Sequence, residues 1–183
     1  FTRGLIPHST LYEIVPAMRA ICCALIEGRS CEKFQVLGEA LRDQDPELAT
    51  RELQRCVKEL GFVGILANGF SQSSDPNALL YYDLPQYWQF WAEVEALDMP
   101  FYLHPRNPLK AWAQIYDGHP WLLGPTWAFG QETAVHALRL MGSGLFDAYP
   151  KLQIILGHMG EGLPFSMWRV DNRNAWVKSP PRY

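Results

Sequence analysis

Two titratable side chains follow a short apolar run near the end of the chain. Residues 152–156 are rich in Ile and Leu, which predicts a strand buried on both faces, and Gly157 ends it. His158 and Glu161 come next, with glycines between and beside them. A carboxylate that accepts the imidazole N–H fixes the tautomer of the ring and raises its basicity. The pair therefore predicts acid–base chemistry at a strand end, and the alternative is an exposed pair in a turn.

A second histidine stands at the end of a similar run. Residues 99–104 are predicted to form a buried strand that ends in His104. The carboxyl ends of parallel strands share one edge of a sheet, so His104 and His158 are predicted to face the same space, where α/β enzymes place their chemistry. A neutral ring nitrogen of His104 could ligate a metal ion there. The alternative is a core histidine that is hydrogen-bonded to a neighbouring backbone group.

Two further side chains are weaker candidates for the same space. Asn68 ends a third predicted strand, although Asn-Gly is also an ordinary turn sequence. Arg169 lies on the helix predicted after His158 and could hold a substrate carboxylate through two hydrogen bonds. An ion pair of Arg169 with Asp171 or Glu161 is the alternative.

The long connection over residues 110–129 is rich in aromatic residues, and the helix predicted after it carries Glu132 and His136. The tryptophans of the connection, Tyr116 and Phe129 are predicted to be buried, and the tryptophans and Phe129 to form an apolar wall. Glu132 and His136 are four positions apart on a predicted helix, which favours a pair on the protein surface. His119 either lines a pocket or caps the loop.

Composition narrows the class of protein. Of the 183 residues, 48% are hydrophobic and the net charge is -3, which is typical of a globular domain and favours neither nucleic acid nor a membrane as partner. The most apolar segment, residues 11–26, is interrupted by charged residues and a proline, so we expect no membrane span. The cysteines lack CxxC spacing, and we expect a reducing, cytoplasmic setting; they are Cys22, Cys23, Cys31 and Cys56.

Alternating strand and helix patterns predict an α/β fold. Strands are predicted over residues 34–41, 62–67, 99–104 and 152–156, with helices over 47–60, 86–97, 131–146 and 163–177. A less regular helix is possible over residues 11–26. This order predicts a parallel sheet, either open or half of an eight-unit barrel. No GxGxxG follows a strand, which disfavours dinucleotide binding.

Residues 46–183 resemble the amidohydrolase-related, metal-dependent decarboxylases, and above all the 2,6-dihydroxybenzoate (gamma-resorcylate) decarboxylases. The resemblance rests on the stretches Phe101-Tyr-Leu-His-Pro105, Gly124-Pro-Thr-Trp-Ala-Phe129, Glu132-Thr-Ala and Ile154-Ile-Leu-Gly-His-Met-Gly-Glu-Gly-Leu-Pro164. It implies that residues 33–183 form part of a TIM-type (β/α)8 barrel, about strands three to six, and leaves residues 1–32 unassigned.

The resemblance also implies a site with one divalent metal ion, zinc or manganese. It makes His104 a metal ligand and places His158 and Glu161 beside a small aromatic carboxylic acid. Residues of the substrate pocket would be Asn68, Phe129, Arg169 and Asn174. It further implies a homo-oligomer and a non-oxidative decarboxylation that needs no organic cofactor.

Two metal-binding motifs of that family, Glu-x-His on its first strand and Thr-Asp-Trp on its last, are not found in this sequence. We therefore interpret the chain as truncated at both ends. Three hypotheses follow: a decarboxylase of hydroxylated benzoic acids, a metal-dependent hydrolase of a lactone or ester, or an inactive half-barrel or assembly subunit. Exposed sheet edges of such a half-barrel predict aggregation or dimerisation.

Overall fold

Five short strands are present in the part of the chain that the structure, a computed structural model, describes: residues 46–72, 75, 78–160 and 162–176. They are β1 (Ile65–Asn68), β2 (Ser71–Gln72), β3 (Leu79–Leu80), β4 (Phe101–His104) and β5 (Ile154–Leu156). The strand predicted over residues 34–41, the helix considered over residues 11–26 and the boundary between residues 32 and 33 lie outside this part.

The strands β1, β4 and β5 form one parallel sheet in that order. Asn68 pairs with His104 across β1 and β4, and Leu103 pairs with Leu156 across β4 and β5. The strands are thus neighbours in space in the order in which the chain makes them. The predicted parallel sheet is confirmed, and the order of its described strands does not reverse.

Burial within the sheet differs from one strand to the next. Phe101 and Leu103 of β4 are fully buried, whereas Tyr102 and His104 between and after them are half-buried. All three residues of β5 are half-buried, so the prediction that this strand is buried on both faces is wrong. Within the described residues β5 pairs with β4 alone, which leaves its other edge less covered.

Five α-helices accompany the strands within the described ranges. They are α1 (Pro46–Lys58), α2 (Trp88–Ala96), α3 (Ala128–Gly142), α4 (Leu145–Ala148) and α5 (Leu163–Asn174). The helix predicted over residues 131–146 is in fact α3 followed by α4. Gly144 lies between them with φ at 84°, a left-handed conformation that interrupts the helix and that glycine adopts without steric cost.

The core lies where α1 and α2 pack beside the sheet. Apolar side chains of α1 recur at helical spacing, and Ala49, Leu53 and Cys56 are buried. The Trp91 ring of α2 lies 4.7 Å from the Phe101 ring of β4, centroid to centroid. Burial of these aromatic and aliphatic side chains provides the main driving force for folding and anchors β4.

The connections after β1 and β4 contain short regular elements. After β1, the two-residue strands β2 and β3 pair in antiparallel fashion. The long connection after β4 contains the 3-10 helices Lys110–Tyr116, Pro120–Leu122 and Gly124–Thr126. Tyr116 is buried as predicted, but the prediction of buried tryptophans is wrong. Trp112, Trp121 and Trp127 are 59%, 64% and 50% exposed.

The helix α5 has one buried end and a strongly exposed aromatic face. Leu163 is buried, whereas Phe165 and Trp168 are 93% and 76% exposed, and Trp176 just after the helix is 79% exposed. A face of this kind is typical of surfaces that bind protein, and the predicted dimerisation stays a prediction. No helix in the described part combines the length and the apolar character that crossing a bilayer requires.

Candidate active site

Three predicted site residues lie at the carboxyl end of the parallel sheet. Asn68 ends β1 and His104 ends β4, and the two are register partners. His158 follows β5 by two residues, within the 3-10 helix Gly157–Gly160. The adjacent strands therefore deliver an amide and two imidazoles to one edge, which is the arrangement that the strand ends predict.

Close backbone contact explains how His158 is brought to that edge. A Cβ atom on Gly157 would lie 2.4 Å from Pro105 Cδ and 2.7 Å from the Leu103 carbonyl oxygen. Only a residue without a side chain allows the chain after β5 to lie so near the end of β4. Gly157 thus determines how closely His158 can lie to His104.

The His104 imidazole is suited to bind a cation through a neutral ring nitrogen. Its Nδ1 atom is buried and has no hydrogen-bond partner among the described residues. Burial, and then the charge of nearby His158, lower the pKa of His104 below its ordinary value. The ring is therefore neutral near pH 7 and keeps a lone pair available for a ligand.

The His158 backbone has a conformation that few residues adopt. Its φ is 49°, in the left-handed region that costs residues with a Cβ atom about 1 kcal/mol. The Phe129 ring of α3 stands edge-on to the imidazole, with 5.4 Å between centroids. Strained backbone is often found at functional sites, and here it directs the ring beside His104.

Other predicted site residues are placed as follows. Glu161 lies outside the described residues, so its pairing with His158 stays a prediction. Arg169 is exposed on α5. Asn174 is half-buried near the end of α5 and lines a shallow hollow with Asp83 and Arg139. No contact within the described part joins Arg169 or Asn174 to His104, and their roles in substrate binding also stay predictions.

The predicted surface pair of Glu132 and His136 is wrong. His136 is fully buried, and its Nε2 atom accepts a hydrogen bond of 3.0 Å from the Tyr82 N–H. Glu132 accepts a hydrogen bond of 2.5 Å from the Tyr81 hydroxyl, and burial raises the pKa of its carboxyl group. Four-residue spacing indicates a shared helix face, and here that face packs against the segment after β3.

Arg106 is a residue near the site that sequence reasoning missed. Its guanidinium lies 4.1 Å above the Phe70 ring and donates a hydrogen bond of 2.6 Å to the Phe70 carbonyl oxygen. Arg106 follows β4 and Phe70 follows β1, so this side chain joins the two strand ends. Its position two residues after His104 was a signal that could have identified it.

Aromatic residues of the long connection line a separate hollow of about 560 Å³. Trp112 and Tyr116 form part of its wall together with Tyr81, Glu132 and Arg139. Neither His104 nor His158 is part of that lining. Of the residues predicted to form an apolar wall, Trp112 lines this hollow beside Glu132, whereas Phe129 packs against His158.

Acid is expected to destabilise the fold through His136. Burial, and then nearby Arg139, lower the pKa of His136 to about 3 from its ordinary 6.5. Because the unfolded chain takes up the proton first, this stabilisation is complete above about pH 6.5 and is lost as the pH falls towards 3. Between pH 7 and 5 we expect a loss of about 2 kcal/mol, measured by urea unfolding.

The matched variant for this measurement is His136→Gln, which keeps a hydrogen-bond acceptor and cannot titrate. Its unfolding free energy should fall about 2 kcal/mol less than that of the wild type between pH 7 and 5. His104 contributes in the same direction in both proteins, since its pKa is also lowered. Parallel pH curves for the two proteins would contradict the assignment.

Among the described residues, His104 has a ring nitrogen that could bind a metal ion. The orphaned Nδ1 of His104 fits a ligand, since a buried ring nitrogen without a partner is rarely left unsatisfied. No group of three or more His, Cys, Asp or Glu side chains in the described part is arranged to hold an ion. Catalytic zinc sites use three protein ligands, so further ligands are needed to complete this one.

Comparison with known proteins decides the family. The model of the amidohydrolase family matches residues 33–181. The chain belongs to the amidohydrolase family. A gamma-resorcylate decarboxylase of Polaromonas sp., an amidohydrolase relative, is 76% identical over 144 residues, which are 79% of this chain and 44% of that protein.

Solved amidohydrolase structures agree with this relationship. A 2,6-dihydroxybenzoate decarboxylase crystallised with 2,6-dihydroxybenzoate matches with a TM-score of 0.71 at 76% identity, over 76% of this chain and 43% of that chain. A Polaromonas dihydroxybenzoic acid decarboxylase with bound manganese and the inhibitor 2-nitroresorcinol matches with a TM-score of 0.70 at 76% identity, over 76% of this chain and 42% of that one. The fold is thus part of a TIM-type barrel, and the chain spans less than half the length of these relatives.

Proposed function

We propose that this chain is part of a metal-dependent, non-oxidative decarboxylase of hydroxylated benzoic acids, a carbon–carbon lyase. The observation that carries the proposal is the approach of two histidines at one sheet edge. His104 there has a neutral, unpartnered ring nitrogen, and His158 is close enough to lower its pKa. Relatives that are 76% identical are decarboxylases of this substrate class, which supports the choice of reaction.

In the proposed reaction an acid of the complete site gives a proton to the ring carbon that bears the carboxylate. The bond from that carbon to the carboxyl carbon then breaks, its electron pair returns to the ring, and carbon dioxide leaves. His104 would help to hold a divalent metal ion, which would supply stabilisation of negative charge on the substrate. Manganese is found in a relative's structure, which favours it over zinc here.

Side chains of this chain hold the substrate in place. His158 donates or accepts a hydrogen bond at a substrate oxygen, with Glu161 fixing its tautomer. Phe129 lies edge-on to His158 and limits where the aromatic ring can lie. The Asn68 amide reaches the same rim from β1 and offers both a donor and an acceptor. Arg169 and Asn174 are proposed to contribute from α5 in the complete site.

The test uses this chain completed with the flanking segments of its Polaromonas relative, because the chain spans 44% of that protein. Metal-loaded protein is expected to convert 2,6-dihydroxybenzoate into equal amounts of resorcinol and carbon dioxide. His104→Gln should lower metal affinity and activity by more than about 100-fold. His119→Gln, at an exposed histidine, is the matched control and should retain both.

Other outcomes bear on the alternative hypotheses. Hydrolysis of a lactone or ester panel without release of carbon dioxide would favour the metal hydrolase. A stoichiometric metal ion bound to the isolated chain, measured by equilibrium dialysis, would count against the inactive half-barrel.

The setting of the complete protein is also a proposal. Cys56 is buried as a thiol that lies 3.5 Å from Glu52 Oε1, which supports the expected reducing environment, and the other cysteines lie outside the described residues. We propose a cytoplasmic homo-oligomer with a small aromatic acid as its ligand. Gel filtration of the completed protein tests the oligomeric state.

A further inference from the structure

Successive turns on one face of α3 contact His158 and the segment after β3. Phe129, Glu132 and His136 are three and four positions apart and therefore share that face. Phe129 packs against His158, Glu132 accepts a hydrogen bond from Tyr81, and His136 accepts one from the backbone of Tyr82. The proposed function uses only the first of these contacts.

His136 is the most deeply buried of the three. Its ring is fully buried, with Nε2 accepting the Tyr82 N–H at 3.0 Å, and a backbone contact with Gly69 partly offsets the lowering of its pKa by burial. The imidazole thus touches both the segment after β3 and the residue that directly follows Asn68. A leucine of similar size would leave the buried Tyr82 N–H without an acceptor, at the cost of a lost hydrogen bond.

Tyr82 connects His136 to the end of β1. Its hydroxyl donates a hydrogen bond of 2.6 Å to the Asn68 carbonyl oxygen, across 14 positions of sequence. Its own carbonyl accepts a hydrogen bond of 2.7 Å from Trp91 Nε1 in the core. The tyrosine is therefore held at its N–H, its carbonyl and its hydroxyl. A residue that is held at two backbone groups and at its side chain can define the position of the backbone that the side chain contacts.

We propose that His136 and Tyr82 are positioning residues that fix the end of β1 and thereby aim the Asn68 side chain at the aromatic acid. Neither residue touches the substrate. The chain of contacts runs from His136 through the Tyr82 backbone and hydroxyl to the Asn68 carbonyl. This inference rests on the proposed function for its substrate, whereas the bracing of Asn68 is a property of the described residues alone.

The first test is amide hydrogen exchange on the 183-residue chain. Tyr82→Phe removes the hydroxyl and retains the ring, and should speed exchange at residues 69–71 about tenfold. His136→Leu should speed exchange of the residue 82 amide by a similar factor, and His136→Gln should restore it. Tyr87→Phe is the matched control, because that buried hydroxyl makes no hydrogen bond of good geometry within the described residues. Unchanged exchange in Tyr82→Phe overturns the proposal.

The second test separates positioning from packing. In the completed protein, Tyr82→Phe and His136→Leu should raise KM for 2,6-dihydroxybenzoate about tenfold with a smaller change in kcat, and His136→Gln should restore KM. Faster exchange with an unchanged KM would show that the contacts only support the fold, which overturns the proposal. An inactive wild type would refute the proposed function instead, and the exchange experiment would then decide whether Asn68 is braced.

Discussion

Replacement of Gly157 by alanine is expected to lower the free energy of unfolding by about 3 kcal/mol or more, at the upper end of overpacking effects. The new Cβ would lie 2.4 Å from Pro105 Cδ and 2.7 Å from the Leu103 carbonyl oxygen. Neither atom belongs to a flexible side chain that could move aside. The strands β4 and β5 must separate at their ends to make room, and the hydrogen bonds between them weaken.

Urea unfolding of Gly157→Ala and the wild type measures this effect. Gly162→Ala is the matched control, because its φ of -74° suits any residue and no atom lies within 4 Å of the added Cβ. The control should be neutral or stabilised by up to about 1 kcal/mol, since alanine restricts the unfolded chain. Equal destabilisation of the two variants would show that the contact at Gly157 does not constrain the fold.

A second large effect is expected for His158→Asn, this time on activity. Loss of the imidazole should reduce kcat/KM of the completed protein by about 100-fold or more, the usual range for a residue in proton transfer or polar activation. Stability should change by less than about 1 kcal/mol, because asparagine tolerates the left-handed φ of 49° at this position.

His158→Val separates the backbone effect from the chemical one. A β-branched residue adopts this left-handed conformation at a larger cost, so we expect about 1–2 kcal/mol of further destabilisation relative to His158→Asn. Activity should be equally low in both variants, because neither retains an imidazole. Activity of His158→Asn near that of the wild type would refute the assigned role, whatever its stability.

The positions of Asn68, His104 and His158 could be predicted from sequence because each lies at or just after the end of a strand. Parallel strands share one orientation, so residues that follow them meet at one edge without any knowledge of side-chain packing. The left-handed φ of His158 could not be predicted in this way. It is adopted directly after Gly157, whose close contact with the end of β4 depends on two segments far apart in sequence.

His136 shows where sequence reasoning fails. A glutamate and a histidine four positions apart on a helix are typical of a solvated surface pair, and this pattern holds no sign of what packs against it. Burial of His136 depends on Tyr81 and Tyr82, which lie directly after β3, a two-residue strand with no detectable sequence pattern. The prediction that the tryptophans of the long connection are buried is wrong for a similar reason. An apolar side chain is buried only where another element covers it.

The strands β1, β4 and β5 lie side by side in chain order, and this order limits where substrate specificity can change. Open doubly wound sheets bind ligands in the crevice where strand order reverses, and the described sheet contains no such reversal. Under the proposed function, selectivity for one aromatic acid over another would then be encoded in the connections that leave the strand ends. Exchange of these segments between relatives should transfer substrate preference, while the strands themselves could remain constant.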